Sequence, residues 1–222
     1  LAKAQSLSLK TDEPGDFFVE IRDASDTALR DMLFSRVKAF MFAGAGLSQA
    51  VWDQLDRHAL AATGQRICIF SGLGMTETSP SCTFALGSGV KSGDVGLPAP
   101  GVQLKLVPSH GKLEIRFKGP NVMPGYWRAA EHTAEAFDDE GFLRSGDAVR
   151  YVDEANPRRG LRFDGRIAED FKLSTGTFVS VGPLRGKIIA AGAPYVQDAV
   201  ITGHGEHEVG AMLIPIVPAV RK

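Results

Sequence analysis

The chain has 222 residues, 44% hydrophobic and 23% charged, which is apolar enough to build one or two cores and too apolar for disorder. Lys plus Arg total 25 and Asp plus Glu total 26, a formal charge of −1 that excludes a basic surface built to grip a nucleic-acid backbone. No apolar run is as long as a membrane span, Leu1 to Lys10 lacks the layout of a signal peptide, and Cys68 and Cys82 have no second cysteine at metal spacing, a pattern that suits a reducing cytosol.

The first residues, to about Asp23, mix short polar and apolar runs around a turn at Glu13-Pro14-Gly15. Asp26 caps a predicted short helix through Phe34, and Val37 to Phe42 is a compact apolar run that reads as a buried strand and ends in Ala43-Gly44-Ala45-Gly46. Ser48 caps the next predicted helix, which places Val51, Trp52, Leu55 and Ala59 on one face and is stopped by Gly64 before a strand from Arg66 to Phe70. Strand, helix, strand is the order of a parallel sheet, whose ligands collect beyond the carboxyl ends of its strands. Both carboxyl ends here open into small-residue loops, Ala43 to Gly46 and Ser71 to Gly74.

After Pro80 the pattern changes to short alternating strands such as Val102 to Val107 and Lys112 to Lys118. In the second, Leu113, Ile115 and Phe117 face one way, while Lys112, Glu114, Arg116 and Lys118 face the other, as in a half-buried antiparallel sheet. Turn pairs at Pro100-Gly101, His110-Gly111, Pro124-Gly125 and Glu140-Gly141 punctuate this region, and Asp138-Asp139-Glu140 reads as a solvated acidic turn. Tyr126 and Trp127 read as barrel core and surface cover, with a place near a ligand pocket as the alternative. Beyond Arg166 come a strand, a helix from about Leu184 to Ala191, and strands at Val196 to Thr202 and Val209 to Val217. The expected fold class is α/β: part of a parallel-sheet subdomain over residues 1–90, a small β-barrel or sandwich over 91–164, and the start of a small α+β domain over 165–222.

Several residues carry possible chemistry. Thr76 and Glu77 offer a hydroxyl and a hard carboxylate after a glycine-rich turn, although Thr-Glu at a strand end also caps helices. Asp147 follows Ser-Gly and accepts hydrogen bonds only, as a turn residue also does, and Arg166 follows a glycine, where a solvated surface charge is the ordinary reading. His204, His207 and Glu208 lack the spacing of a helical metal site.

The run Gly72-Leu73-Gly74-Met75-Thr76-Glu77-Thr78 resembles the ATP-binding motif of the adenylate-forming superfamily, which includes acyl-CoA synthetases, luciferases and peptide-synthetase adenylation domains. Other segments resemble its further signatures in the same order. These are Ala43 to Ser48, Gly93 to Gly101, Gly119 to Met123 with Gly125-Tyr126-Trp127, Gly141 to Asp147, and Phe163 to Arg166. The wording of Ser71 to Gly74 and of Ala168 to Lys172 is most similar to feruloyl-CoA synthetases.

The resemblance implies that a carboxylic acid, for example the hydroxycinnamate ferulate, is activated by ATP as acyl-AMP and transferred to coenzyme A. It implies catalytic roles for Thr76 and Glu77, with Glu77 holding magnesium. ATP or AMP would be bound by Gly44, Ala45, Gly72, Leu73, Gly74, Thr76, Asp147 and Arg166, and Ala168 and Lys172 would mark a hinge or CoA region. Alternatives are an adenylation domain that loads a carrier protein and a non-catalytic nucleotide-binding chain. The family pattern usually has an aromatic residue where this chain has Leu73, and Asp or Lys where it has Ala168. Lys172 to Gly176 is one residue longer than the pattern, and Val181 to Arg185 lacks its Glu. The family's upstream phosphate loop and distal lysine find no match, so the chain is expected to be an internal stretch of a longer cytoplasmic enzyme and inactive alone.

Overall fold

The computed structural model describes residues 9–10, 18–19, 27–43, 47, 49–87 and 89–221. The chain divides into two compact units, residues 1–40 with 50–69, and residues 41–49 with 70–222.

In the first unit, β1 (Leu9–Lys10) pairs antiparallel with β2 (Phe18–Val19), and α1 (Thr27–Phe34) follows. The chain then forms β3 (Ala39–Met41), α2 (Gln49–Thr63) and β4 (Cys68–Phe70), with β3 and β4 hydrogen-bonded side by side. The expected strand, helix and strand are therefore present, each strand shorter than its apolar run. Trp52 and Ala59 form the buried face of α2, whereas Val51, expected on that face, is exposed. Gly64 donates its N–H to Leu60 O and ends the helix.

The second unit is organised by β5 (Thr83–Phe84), β6 (Asp94–Pro98), β7 (Gln103–Ser109), β8 (Lys112–Lys118), α3 (Ala130–Ala136), β9 (Leu143–Tyr151) and β10 (Leu161–Arg166). The strands form one curled antiparallel sheet in the order β5-β6-β10-β9-β8-β7, a half-barrel within a mixed α/β fold. The hairpin β7–β8 turns at His110-Gly111 and stays in register from Ser109↔Lys112 to Gln103↔Lys118. Ile115 and Phe117 of β8 pack with Cys82, Val95, Val149 and Leu161 in a core that Leu73, Val102, Leu104, Leu106, Val122 and Tyr151 cover. Phe117 is fully buried, and its replacement by Ala removes a side chain worth about 3–5 kcal/mol in such settings.

The opposite face of β8 departs from the expected solvated stripe. Glu114 is 7% exposed, and Arg116 binds Glu114 Oε2 and Asp138 Oδ2. Asp138 also takes Lys105, so the first residue of the acidic turn is paired and its side chain buried, while Asp139 and Glu140 stay exposed as expected of a solvated turn. Tyr126 and Trp127 are both exposed, Trp127 at 87%, and neither belongs to the core. α3 was not foreshadowed, because it has no buried residue and hence no apolar stripe.

The chain ends in β11 (Phe171–Lys172), β12 (Phe178–Val179), α4 (Val181–Ala191), β13 (Val196–Thr202), β14 (Gly210–Pro215) and α5 (Val217–Val220). β11 pairs with β12, and β13 with β14. α4 starts at Val181, earlier than expected, because Asp170 Oδ1 accepts the Val181 N–H from a distant point in the chain. The expected strand to Val217 stops at Pro215 and gives way to α5. Lys112 donates to Asp164 O and forms an ion pair with Asp170, whose side chains are 7% and 2% exposed, so this segment is tied to β8. Among the described residues no helix is long and apolar enough to cross a membrane.

Candidate active site

Thr76 to Thr78 form a single 3-10 turn after the glycine-rich run. Thr78 is buried; its hydroxyl donates to Met75 O and accepts from Met75 N–H, closing the turn on itself. The loop before it lies against the strand that follows. Leu73 O accepts the N–H groups of Cys82 and Thr83, and Leu73 N–H donates to Thr83 Oγ1. A Cβ on Gly72 would stand 2.0 Å from Thr83 O, and one on Gly74 would stand 1.8 Å from Pro80 O. The missing side chains thus make room for the chain's own backbone over residues 80–83. Leu73 is half-buried against the sheet core.

Thr76 is exposed and Glu77 half-buried. Three contacts from residues 121–126 fix the turn from the other side. Asn121 Nδ2 donates to Thr78 O at 2.8 Å, Met123 N–H donates to Glu77 O at 2.8 Å, and Tyr126 OH donates to Glu77 Oε1 at 2.9 Å. The Glu77 carboxylate, as acceptor, pushes the Tyr126 phenol above its ordinary range. Among the described residues no three His, Cys, Asp or Glu side chains gather to hold a metal ion by themselves. One half-buried carboxylate beside an open hydroxyl is nevertheless a donor set that suits magnesium, which takes most of its oxygens from phosphate and water.

Asp147 sits on β9 with Arg166 of β10 as its cross-strand partner. Asp147 is 6% exposed, and its Oδ1 accepts from Arg166 Nε at 2.9 Å. Among the described residues no hydrogen bond reaches its Oδ2, which is not one of the buried unpartnered oxygens and so is open to solvent. Burial pushes the Asp147 carboxyl up, and Arg166 only partly offsets this; Asp147 in turn raises the guanidinium. Arg166 is exposed at its surface end, as are Ala168 in the following 3-10 turn and Lys172 on β11. Gly44 and Ala45 lie outside the described residues.

The structure therefore pairs two expected residues, Asp147 with Arg166, and gives a third, Glu77, an unexpected partner in Tyr126, with no hydrogen bond between the pairs among the described residues. The model of the family described as AMP-binding enzyme matches residues 9–127, more than half of the chain. The chain belongs to the AMP-binding enzyme family. The matched span includes the Thr76–Thr78 turn and its clamp at Asn121 to Tyr126, while Asp147 and Arg166 lie beyond it.

Relatives within this AMP-binding family include long-chain-fatty-acid–CoA ligase 6 of Rattus norvegicus, 34% identical over 67% of this chain and 21% of that protein. Probable 4-coumarate–CoA ligase 1 of Dictyostelium discoideum is 34% identical over 77% of this chain and 30% of that protein. The chain thus spans between a fifth and a third of the length of these curated relatives. Among solved structures, the ATP-bound RpMatB–BxBclM chimera B1 is 26% identical with a TM-score of 0.62, and the match covers 86% of this chain and 43% of that one.

Sequence reasoning passed over Asn121, Ser145 and Glu114, and placed Tyr126 in the core. Tyr126 carries no local signal for this role, because an exposed phenol can bond to water as well as to a distant carboxylate.

Proposed function

We propose that this chain supplies the nucleotide-facing part of an ATP-dependent acid–thiol ligase, which activates a carboxylic acid as acyl-AMP and passes the acyl group to coenzyme A. The observation that carries the reading is Asp147, a buried carboxylate with one oxygen held by Arg166 and the other without a partner among the described residues. An acceptor of that kind takes the hydroxyls of a ribose, and the exposed Arg166 guanidinium lies beside it for the sugar or phosphate. The exposed Thr76 would donate its hydroxyl to an α-phosphate oxygen, and the clamp from Asn121, Met123 and Tyr126 keeps the turn in one geometry. Magnesium on Glu77, when bound, would offset the repulsion between the carboxylate nucleophile and the phosphates. The carboxylate oxygen then attacks the α-phosphorus and pyrophosphate leaves; in the second step the CoA thiol attacks the acyl carbonyl and AMP leaves.

For the acid, the wording of Ser71 to Gly74 and of Ala168 to Lys172 favours a hydroxycinnamate such as ferulate, and a relative named for 4-coumarate fits it. Another relative is named for long-chain fatty acids, so thioester formation should be measured with ferulate, 4-coumarate and palmitate in parallel. Turnover of palmitate alone rejects the hydroxycinnamate. Two free cysteines suit a cytoplasmic location.

The ribose reading is tested in the full-length enzyme. Asp147→Ala removes charge-assisted bonds worth roughly 1.5–3 kcal/mol each, so kcat/KM for ATP should fall about a hundredfold or more. The variant should also discriminate less against 2′-deoxy-ATP. An unchanged ratio between the two nucleotides rejects the assignment. Glu77→Gln should slow adenylation most at limiting magnesium; full activity there would remove the metal role.

A further inference from the structure

The sheet is irregular on both sides of Asp147. Between Glu114 and Arg116 of β8 the partners on β9 pass from Ala148 to Arg144, and between Phe163 and Arg166 of β10 they pass from Val149 to Asp147. β9 therefore bulges from β8 at Ser145 to Asp147, with Gly146 at φ 70°, a left-handed conformation natural to glycine.

Two side chains hold this bulge. Ser145 Oγ accepts the Asp147 N–H at 3.0 Å and donates to Ile115 O at 2.5 Å. Glu114 Oε1 accepts the Gly146 N–H at 3.3 Å, while Oε2 receives Arg116 Nε at 2.8 Å and Nη2 at 2.6 Å. Arg116 is itself anchored by Nη1 on Asp138 Oδ2 at 3.0 Å. Glu114 is one of the few charged residues buried in the sheet, at 7% exposure, and the alternation of β8 turns it away from the apolar core.

We propose that Glu114 is a positioning residue for the nucleotide: its carboxylate, oriented by Arg116, holds the N–H of Gly146 and so fixes the direction in which Asp147 presents Oδ2. This rests on the reading of Asp147 as the ribose acceptor. Bulges beside a site re-aim the side chains they carry, and a bulge held from one side by a buried acceptor keeps a single aim.

The test uses the full-length enzyme with ATP and 2′-deoxy-ATP. Glu114→Ala should raise KM for ATP about tenfold with little change in kcat and should narrow the discrimination between the nucleotides. Glu114→Gln retains an oxygen for the Gly146 N–H and should restore most of that discrimination. A purely structural Glu114 would lower thermal stability and leave the nucleotide ratio at its native value, which overturns the proposal; so does a Glu114→Gln ratio no better than that of Glu114→Ala. Asp147→Ala is measured alongside. If it leaves the ratio unchanged, the ribose reading fails and takes the proposal with it; if it collapses the ratio while Glu114→Ala does not, only the positioning role fails. Should Glu114→Ala not fold, Glu114→Asp withdraws the carboxylate by one methylene, and a native ratio in that variant overturns the proposal equally.

Discussion

Asp138 and Asp147 are both nearly buried, at 6% side-chain exposure for the first and 6% for the second residue, and both face an arginine. Asp138 accepts four hydrogen bonds: from Lys105 and Arg116 on Oδ2, and from the N–H groups of Glu140 and Phe142 on Oδ1. Burial opposes its ionisation, but these donors together outweigh burial and hold its carboxyl well below the usual range. Among the described residues the Asp147 carboxylate accepts from Arg166 alone, and burial leaves its carboxyl above the usual range. A carboxylate whose lone pairs are filled from within has nothing left for a ligand. One that is mostly buried yet keeps an oxygen open to solvent bears some cost of burial and can still take a ligand, the pattern expected of a binding residue.

Asp170 stretches the comparison to a carboxylate with one cation and one N–H, and it offers the largest effect. Its side chain is 2% exposed, with Oδ2 on Lys112 and Oδ1 on the Val181 N–H. Lys112→Met leaves that charge buried without its cation, a change that typically costs about 3–5 kcal/mol. Urea unfolding measures it. A loss under about 1 kcal/mol would mean that water reaches Asp170 once Lys112 is gone and that burial does not dominate here.

A smaller effect should follow Asp138→Asn, which keeps the shape and removes the charge that Lys105 and Arg116 share. Its folded pKa is depressed, so its stabilisation is complete above the unfolded carboxylate value of about 3.9 and is lost as pH falls through the lower folded value. The variant should melt several degrees below the native chain at pH 7, with the gap closing only in strong acid. A gap that persists unchanged at the lowest pH would show that shape, not charge, is what Asp138 contributes.

The sequence makes some of this plain and hides the rest for identifiable reasons. α2 announces itself through Trp52, Leu55 and Ala59 and its stop at Gly64, and β8 keeps the bounds Lys112–Lys118 that its alternation implies. Local period is enough for both. Arg166 and Asp147 are visible as motif residues, but their antiparallel pairing across β9 and β10 depends on sheet order, which no local pattern states. The same limit explains Asp138, whose cations come from β7 and β8, and Tyr126, which lies 49 residues from Glu77. α3 was invisible because a helix with no buried residue leaves no apolar period to read.

The smallest effect has the opposite sign and bears most directly on the contrast. Asp147 has a raised folded pKa, so between the unfolded value near 3.9 and the higher folded value the native chain binds more protons than the unfolded one. Its favourable contribution is complete below the unfolded value and is lost as pH rises through the folded one; at pH 7 the ionised carboxylate is held at a net cost of burial. Asp147→Asn removes that cost and keeps an acceptor oxygen, while Arg166, about half exposed, is rehydrated with little penalty. The variant should therefore melt slightly above the native chain at pH 7, and the gain should vanish as pH falls below about 4. Thermal melts of both proteins from pH 3 to 8 decide the matter. A variant less stable than the native chain at neutral pH would mean that Arg166 and solvent already satisfy Asp147, and the contrast with Asp138 would then be one of degree rather than of kind.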